Sequence, residues 1–144
     1  MTSVLVLSGP NLNLLGSRSP DIYGTQTLDD HVNTVREVLS DFDVRHFQSN
    51  AESELVEAIH AARGRDAAII FNPGALTHSS WSLRDALDTF DGVKIEVHLS
   101  NPAAREPFRH TSTIAAVVTG SIAGFGGQGY RLAAEAVRER CSKA

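Results

Sequence analysis

The sequence predicts an α/β fold in which a parallel sheet of five strands carries helices on both faces. Three observations predict it. Short apolar runs alternate with amphipathic helical patterns along the 144 residues. Turn-forming residues close most of these runs, and residues 4–7 and 67–71 are apolar throughout, as in strands buried on both faces. We expect one domain over residues 1–144, since a chain of this length buries roughly 68–70% of its unfolded surface.

The first half of the chain supplies two strands and one helix. Strand 1, residues 4–7, stops at a Ser-Gly-Pro turn, and the polar loop that follows is interpreted as a lid over a site. Thr27 is suited to cap a helix whose apolar stripe recurs at steps of three and four: Leu28, Val32, Val35, Leu39 and Phe42. Residues 44–49 are partly polar, which favours an edge strand.

The second half repeats the alternation. A helix is predicted with Ser53 as its cap, an apolar face of Leu55, Ile59 and Ala62, and an end near Gly64. Strand 3, residues 67–71, ends at an Asn-Pro-Gly turn, and the next helix runs through Leu83, Leu87 and Phe90. Residues 93–99 and 114–123 are strands 4 and 5. Glycine-rich residues 124–129 lead into a last helix with an apolar stripe of Tyr130, Ala133 and Val137.

Strands that alternate with helices imply right-handed crossovers, and the order 2-1-3-4-5 of a flavodoxin-like sheet. Ligands bind at the carboxyl ends of such strands. We therefore expect residues 11–23, 72–78 and 98–109 to meet in one crevice after strands 1, 3 and 4.

Composition excludes several classes of function. The chain has 13 basic and 17 acidic residues, a net charge of -4, so it has no general basic field for nucleic acid or an anionic membrane. The single cysteine, Cys141, excludes an internal disulfide. No apolar run approaches membrane-spanning length and no signal pattern starts the sequence, so a soluble cytoplasmic protein is expected.

Tyr23 is the candidate base. Arg18 lies five residues before it, and Arg105 is available from the loop after strand 4. A loop tyrosine most often serves packing. Because a phenol ordinarily ionises near pH 10, its use as a base near neutrality requires adjacent positive charge, which two guanidinium groups in a water-poor site would supply.

Glu96 and His98 form the candidate acid. They lie two residues apart in an otherwise apolar strand, so both side chains point to the same face. A lone strand histidine is more often only a hydrogen-bonding residue. A carboxylate on the same face can instead orient the ring and hold it as imidazolium, the form that a general acid requires.

Five polar residues have two interpretations each. Asn72 and His78 can simply form a turn and the start of a helix. Alternatively, the free backbone N–H groups and polar side chains at this helix start bind the hydroxyl groups or carboxylate of a substrate. Asp85, one to two helical turns on, is a solvated acid or part of the site. Arg105 and Arg109 form surface salt bridges or bind a small anion.

Two other patterns are interpreted as structural. Residues 124–129 match the dinucleotide motif G-x-G-x-x-G, but no later strand can carry the ribose-binding acid, so a tight turn is predicted. The six histidines lack short metal-ligand spacings, and we expect no metal site.

Six motifs occur in order: G-P-N-L-N-L-L-G-x-R-x-P-x-x-Y-G at 9–24, N-P-G-A-x-T-H at 72–78, L-R-D-A at 83–86, E-V-H-L-S-N at 96–101, A-R-E-x-F-R at 104–109 and G-F-G-x-x-G-Y at 124–130. Together they closely resemble the type II 3-dehydroquinate dehydratases. The resemblance implies a flavodoxin-like subunit, a homododecamer built as a tetramer of trimers, and no cofactor. It also implies trans-dehydration of 3-dehydroquinate to 3-dehydroshikimate through an enolate, in shikimate or quinate metabolism.

The resemblance also implies roles for individual residues. Tyr23 resembles the base that takes the C2 proton, and Arg18 the group that promotes its ionisation. Asn11 resembles the residue that holds a water against the enolate oxygen, and His98, oriented by Glu96, the acid that protonates the leaving hydroxyl. The resemblance implies substrate contacts at Asn72, His78, Leu99, Ser100 and Arg109. It also implies that Asp85 is contributed across a subunit interface. Arg105 is added to the substrate contacts because of its charge, not because of the resemblance.

A flavodoxin-like module that binds a flavin or phosphorylated ligand is the alternative function, motivated by the fold and the glycines. A phosphorelay receiver would need an acidic pair after strand 1 and an aspartate after strand 3. The chain has Asn11 and Asn72 at those places.

Overall fold

The computed structural model describes residues 1–141, which form one parallel sheet flanked by helices. The strands are β1 (Ser3–Ser8), β2 (Asp43–Gln48), β3 (Ala68–Asn72), β4 (Val93–His98) and β5 (Gly120–Ala123). The helices are α1 (Pro20–Tyr23), α2 (Leu28–Val38), α3 (Glu52–Ala62), α4 (Trp81–Asp88) and α5 (Gln128–Cys141). The strand order is β2-β1-β3-β4-β5, so the predicted flavodoxin-like topology is confirmed, with β2 at an edge.

Alternation along the central strands builds two cores. In β1, Val4 and Val6 pack with apolar residues of α2 and α5, whereas Leu5 and Leu7 pack with those of α3 and α4. Both faces of the sheet are therefore buried, which is why residues 4–7 carry no polar residue. In the part of the chain that the structure describes, no helix is long and apolar enough to cross a membrane.

The helix starts correct one prediction and confirm another. Thr27 caps α2, as predicted. The structure adds that Asp30 accepts the backbone N–H of Thr27 in return, which makes a reciprocal capping box. Ser53 is not the cap of α3, because the helix already begins at Glu52. The hydroxyl of Ser49 accepts the backbone N–H of Ala51 instead, at 2.9 Å, and so organises the turn before the helix.

Strand β5 is shorter than predicted, because it covers residues 120–123 rather than 114–123. The hydroxyl of Ser112 accepts the backbone N–H groups of Ile114 and Ala115, and a 3-10 turn follows at Ala115–Val117. Local side-chain hydrogen bonding thus outweighs the apolar pattern. Ile114 is fully buried, but it packs in the core beside α3 and α4.

The loops after β1 and β3 touch through their backbones at Gly9. A Cβ atom at this position would lie 2.5 Å from the carbonyl oxygen of Pro73, and the backbone N–H of Gly9 donates to Asn72 O at 2.8 Å. Only glycine permits this approach without displacement.

We therefore expect Gly9→Ala to push the two loops apart and to lower the free energy of unfolding by about 1–3 kcal/mol. Chemical denaturation of wild type and variant measures the change. Gly120→Ala is the matched control, because a Cβ there meets no atom within 4 Å. An equal effect of the two substitutions would contradict the close approach at Gly9.

Candidate active site

A cavity opens at the carboxyl ends of β1, β3 and β4. It is lined by all but two of the predicted site residues: Asn11, Arg18, Tyr23, Asn72, His78, His98, Leu99, Ser100, Arg105 and Arg109. The predicted meeting of three segments is therefore confirmed. The two exceptions are Glu96, which lies behind His98, and Asp85, which is exposed on α4.

Tyr23 ends the single helical turn α1 within the segment predicted as a loop. Arg105 Nη1 donates a hydrogen bond of 3.0 Å to its hydroxyl. The guanidinium carbon of Arg18 lies 4.3 Å from the centroid of the tyrosine ring, and that of Arg105 lies 5.3 Å from it. Two cations thus contact one phenol, and both would stabilise the negative charge of a phenolate.

Glu96 and His98 share a face of β4, as their spacing predicted, and His98 Nε2 lies 2.6 Å from Glu96 Oε2. The carboxylate is 2% exposed. Burial acts to raise the pKa of Glu96, but hydrogen bonds from His98, Thr77 and Ser112 outweigh it and hold the pKa below its usual value. A buried carboxylate that remains ionised can orient the ring and stabilise an imidazolium.

The lowered pKa of Glu96 predicts how the stability of the protein depends on pH. Because the folded-state pKa of Glu96 lies below the ordinary 4.5, its stabilising effect is complete above the ordinary value and is lost as the pH falls through the folded-state pKa. We expect the difference in urea midpoint between wild type and Glu96→Gln to shrink on going from about pH 6 to about pH 3. A difference that stays constant or grows over that range would contradict the shift.

Arg105 and Arg109 both line the cavity and both face Glu106. Arg109 Nε donates to Glu106 Oε2 at 3.0 Å, and Arg105 Nε lies 3.7 Å from Oε1. Arg105 Nη1 also donates to Ser100 Oγ at 3.1 Å. The salt-bridge interpretation and the anion-binding interpretation of these arginines are therefore compatible, because each arginine makes an ion pair and each also presents positive charge to the cavity.

Asn72 is held at the floor of the cavity by two hydrogen bonds. Its Oδ1 accepts the backbone N–H of Gly74 at 3.1 Å, and its Nδ2 donates to the hydroxyl of Tyr130 at 3.4 Å. Burial raises the pKa of Tyr130 to about 12, so this phenol stays protonated. The amide is 4% exposed, and the two hydrogen bonds fix its orientation.

His78 is oriented by a backbone carbonyl. Its Nδ1 lies 2.7 Å from Thr111 O. A carbonyl can only accept, so Nδ1 carries a proton and Nε2 is the nitrogen available to a ligand. Phe108 packs edge-on against the ring, with centroids 5.9 Å apart.

The glycine-rich segment after β5 forms a tight turn, as predicted. Gly124 and Gly126 have φ angles of 93° and 57°, and α5 begins at Gln128.

The chain is similar to known proteins over nearly its whole length. The family model for dehydroquinase class II matches residues 2–138. The chain belongs to the class II dehydroquinase family. The predicted resemblance is therefore confirmed.

Relatives and solved structures agree with this membership. The 3-dehydroquinate dehydratase of Photorhabdus laumondii is 51% identical over 97% of this chain and 95% of its own length. That of Ruegeria pomeroyi is 52% identical over 99% and 97%. The crystal structure of a type II dehydroquinase from Propionibacterium acnes has a TM-score of 0.92 and 42% identity, covering 96% of this chain and 97% of its own.

Thr77 and Asp85 do not line the cavity of this class II dehydroquinase. Thr77 belongs to the motif at 72–78, and its hydroxyl donates to Glu96 Oε2. The cap of α4 is Ser80. Asp85 is exposed and does not line the cavity of its own chain, so its role across a subunit interface stays a prediction.

Sequence reasoning missed two polar residues at the site. Asn50 Oδ1 accepts the backbone N–H of Asn11, whose φ is 70°, at 3.0 Å. Ser112 donates to Glu96 at 3.0 Å. Single serines and asparagines carry no pattern that reveals such contacts.

Proposed function

We propose that this class II dehydroquinase removes water from 3-dehydroquinate to give 3-dehydroshikimate, with Tyr23 as the base and His98 as the acid. The observation that carries this mechanism is that Tyr23 with two arginines, and His98 with Glu96, border one cavity. A base and an acid on one cavity are what the elimination of water requires.

The first step is removal of the C2 proton. The phenolate of Tyr23 takes it, stabilised before the transfer by Arg18 and Arg105 at the contacts described above. The electrons pass to the neighbouring carbonyl as an enolate. Asn11 holds a water against the enolate oxygen.

The second step is loss of the hydroxyl. His98, as imidazolium paired with Glu96, gives a proton to the departing oxygen while the enolate collapses to the conjugated enone. Arg109 and the backbone N–H groups of Leu99 and Ser100 bind the substrate carboxylate, and Asn72 and His78 bind its hydroxyls.

We further propose a homododecamer of one-domain subunits, assembled as a tetramer of trimers in the cytoplasm and needing no cofactor, in which Asp85 of one subunit completes the site of the next. Its exposure on α4 supports this role, because the side chain is accessible to another subunit. Activity in quinate as well as shikimate metabolism belongs to the same proposal.

The direct test mixes purified protein with 3-dehydroquinate and follows the ultraviolet absorbance of the conjugated enone. A rise that is proportional to protein concentration is expected. Folded protein that gives no rise would overturn the proposed function, and a copurified flavin without turnover would favour the flavin-binding alternative.

The proposed mechanism does not use a lysine that forms an imine with the substrate. Among the described residues the lysine is Lys94, which does not line the cavity and whose Nζ donates to Leu87 O and Phe90 O at 2.9 and 2.7 Å; Lys143 lies outside the described residues. Because the proposed route forms no imine, borohydride added with substrate should leave the activity intact. Irreversible inactivation under those conditions, absent with borohydride alone, would contradict it.

A further inference from the structure

Two hydroxyl groups, those of Thr77 and Ser112, contact the carboxylate of Glu96 closely without lining the candidate cavity, and a third, Ser121 Oγ, lies 3.4 Å from Oε1. Thr77 Oγ1 lies 2.5 Å from Glu96 Oε2, and Ser112 Oγ lies 3.0 and 3.1 Å from Oε1 and Oε2. The two hydroxyl oxygens are 2.8 Å apart. They come from the turn after β3 and from the segment before β5, so the carboxylate joins three separate parts of the chain.

The direction of these hydrogen bonds follows from their neighbours. Ser112 Oγ already accepts the backbone N–H groups of Ile114 and Ala115, at 3.3 and 3.1 Å, so its one proton remains for Glu96. An ionised carboxylate can only accept. Thr77 and Ser112 therefore both donate to Glu96.

This direction decides where His98 carries its protons. Since Glu96 has no proton to give, the contact of 2.6 Å between its Oε2 and His98 Nε2 must carry a proton on the nitrogen. The other ring nitrogen, Nδ1, is then the one available to a ligand in the cavity. The hydroxyl groups thus act on the side of the histidine that the substrate does not touch.

We propose that Thr77 and Ser112 are positioning residues that keep the proton on Nε2 of His98 and so direct proton donation through Nδ1. The inference rests on the proposed role of His98 as the acid. In that step the C–O bond breaks, its electron pair stays on oxygen, and the oxygen takes the Nδ1 proton while Nε2 keeps its own.

Loss of the hydroxyl donors should weaken the acid. With fewer donated protons the carboxylate becomes a stronger acceptor and draws the Nε2 proton towards itself, which makes the ring more electron-rich and its Nδ1–H less acidic. The substrate contacts are unchanged. The effect should therefore fall on kcat rather than on KM.

The principal test is Thr77→Val, which removes the hydroxyl from a side chain that is 1% exposed while nearly preserving its shape. We expect kcat to fall about tenfold or more, with KM within about twofold, because a carboxylate that has lost a donor draws the Nε2 proton of His98 more strongly and weakens the acid. Thr77→Ser keeps the hydroxyl and should restore kcat to within about threefold. Thr113→Val is the control, because its buried hydroxyl donates to Ser80 O and does not touch Glu96.

A second measurement is independent of turnover. ¹⁵N spectra of histidine-labelled enzyme, assigned by the signal lost in His98→Gln, report which nitrogen of neutral His98 is protonated. We expect the Nε2–H form in the wild type, and an added Nδ1–H fraction in the Thr77→Val/Ser112→Ala double variant, in which Glu96 can itself carry a proton.

Each outcome decides between the two proposals. Wild-type enzyme that does not dehydrate 3-dehydroquinate overturns the proposed function, and the spectra still test the hydroxyl groups. Active wild type combined with unchanged kcat in Thr77→Val, or with no rescue by Thr77→Ser, overturns the positioning role. A neutral wild-type His98 protonated on Nδ1 overturns it as well.

Discussion

Replacing Tyr23 by phenylalanine should lower kcat for 3-dehydroquinate by about 10²–10⁴-fold, because it removes the group that takes the substrate proton. The ring that Arg18 and Arg105 contact is retained, so the cationic surroundings of the site are preserved. Steady-state kinetics from the enone absorbance measures the change.

Binding and folding are the controls for this variant. The lost hydroxyl accepts one hydrogen bond from Arg105, which keeps Ser100 Oγ as a second partner, so we expect substrate affinity by calorimetry to change by less than about tenfold. A thermal unfolding midpoint near that of the wild type would confirm the fold. Turnover within threefold of wild type would remove Tyr23 from the mechanism.

Replacing His98 by alanine should have an effect of similar size, about 10²–10⁴-fold on kcat, because no other group would protonate the leaving hydroxyl. Alanine also leaves the buried carboxylate of Glu96 without one of its donors, so this variant should be less stable than the wild type. Kinetics must therefore be measured on protein shown to be folded at the assay temperature.

His98→Gln separates these two losses. A glutamine side chain can place an N–H group where Nε2 lies, so it can satisfy Glu96, but it cannot act as an acid. We expect its stability to approach that of the wild type while kcat stays as low as in His98→Ala. His60→Ala, an exposed position at the end of α3, is the matched histidine control and should keep full activity. Substantial turnover by His98→Gln would contradict proton donation by His98.

The sequence was sufficient for the parts of the molecule that are governed by local patterns. Strand order followed from the alternation of apolar runs with helices, and the Glu96–His98 pair followed from a spacing of two residues in a strand. Tyr23 and Arg105 could be brought together because strand ends meet at one edge of a parallel sheet, although 82 residues separate them.

Other features depend on contacts that no local pattern encodes. The apolar run from Ile114 was taken for a strand, but Ser112 folds its start into a turn and Ile114 fills a gap in the core. Ser49 replaces Ser53 as the residue that organises the start of α3. Thr77 and Ser112 acquire their roles only because a charged carboxylate is buried between them.

The ion pairs of Glu106 reduce how much charge attraction can contribute to the affinity for a substrate carboxylate. Arg109 has a carboxylate partner within its own chain at 3.0 Å, and the side chain of that partner, Glu106, is 53% exposed, so it can turn into solvent. An incoming carboxylate exchanges places with one that is present and gains little from charge alone. Small anions such as acetate should therefore compete poorly with the substrate. Selectivity between ligands then depends on how well the rest of the ligand fits the cavity, which favours a hydroxylated ring over a simple acid.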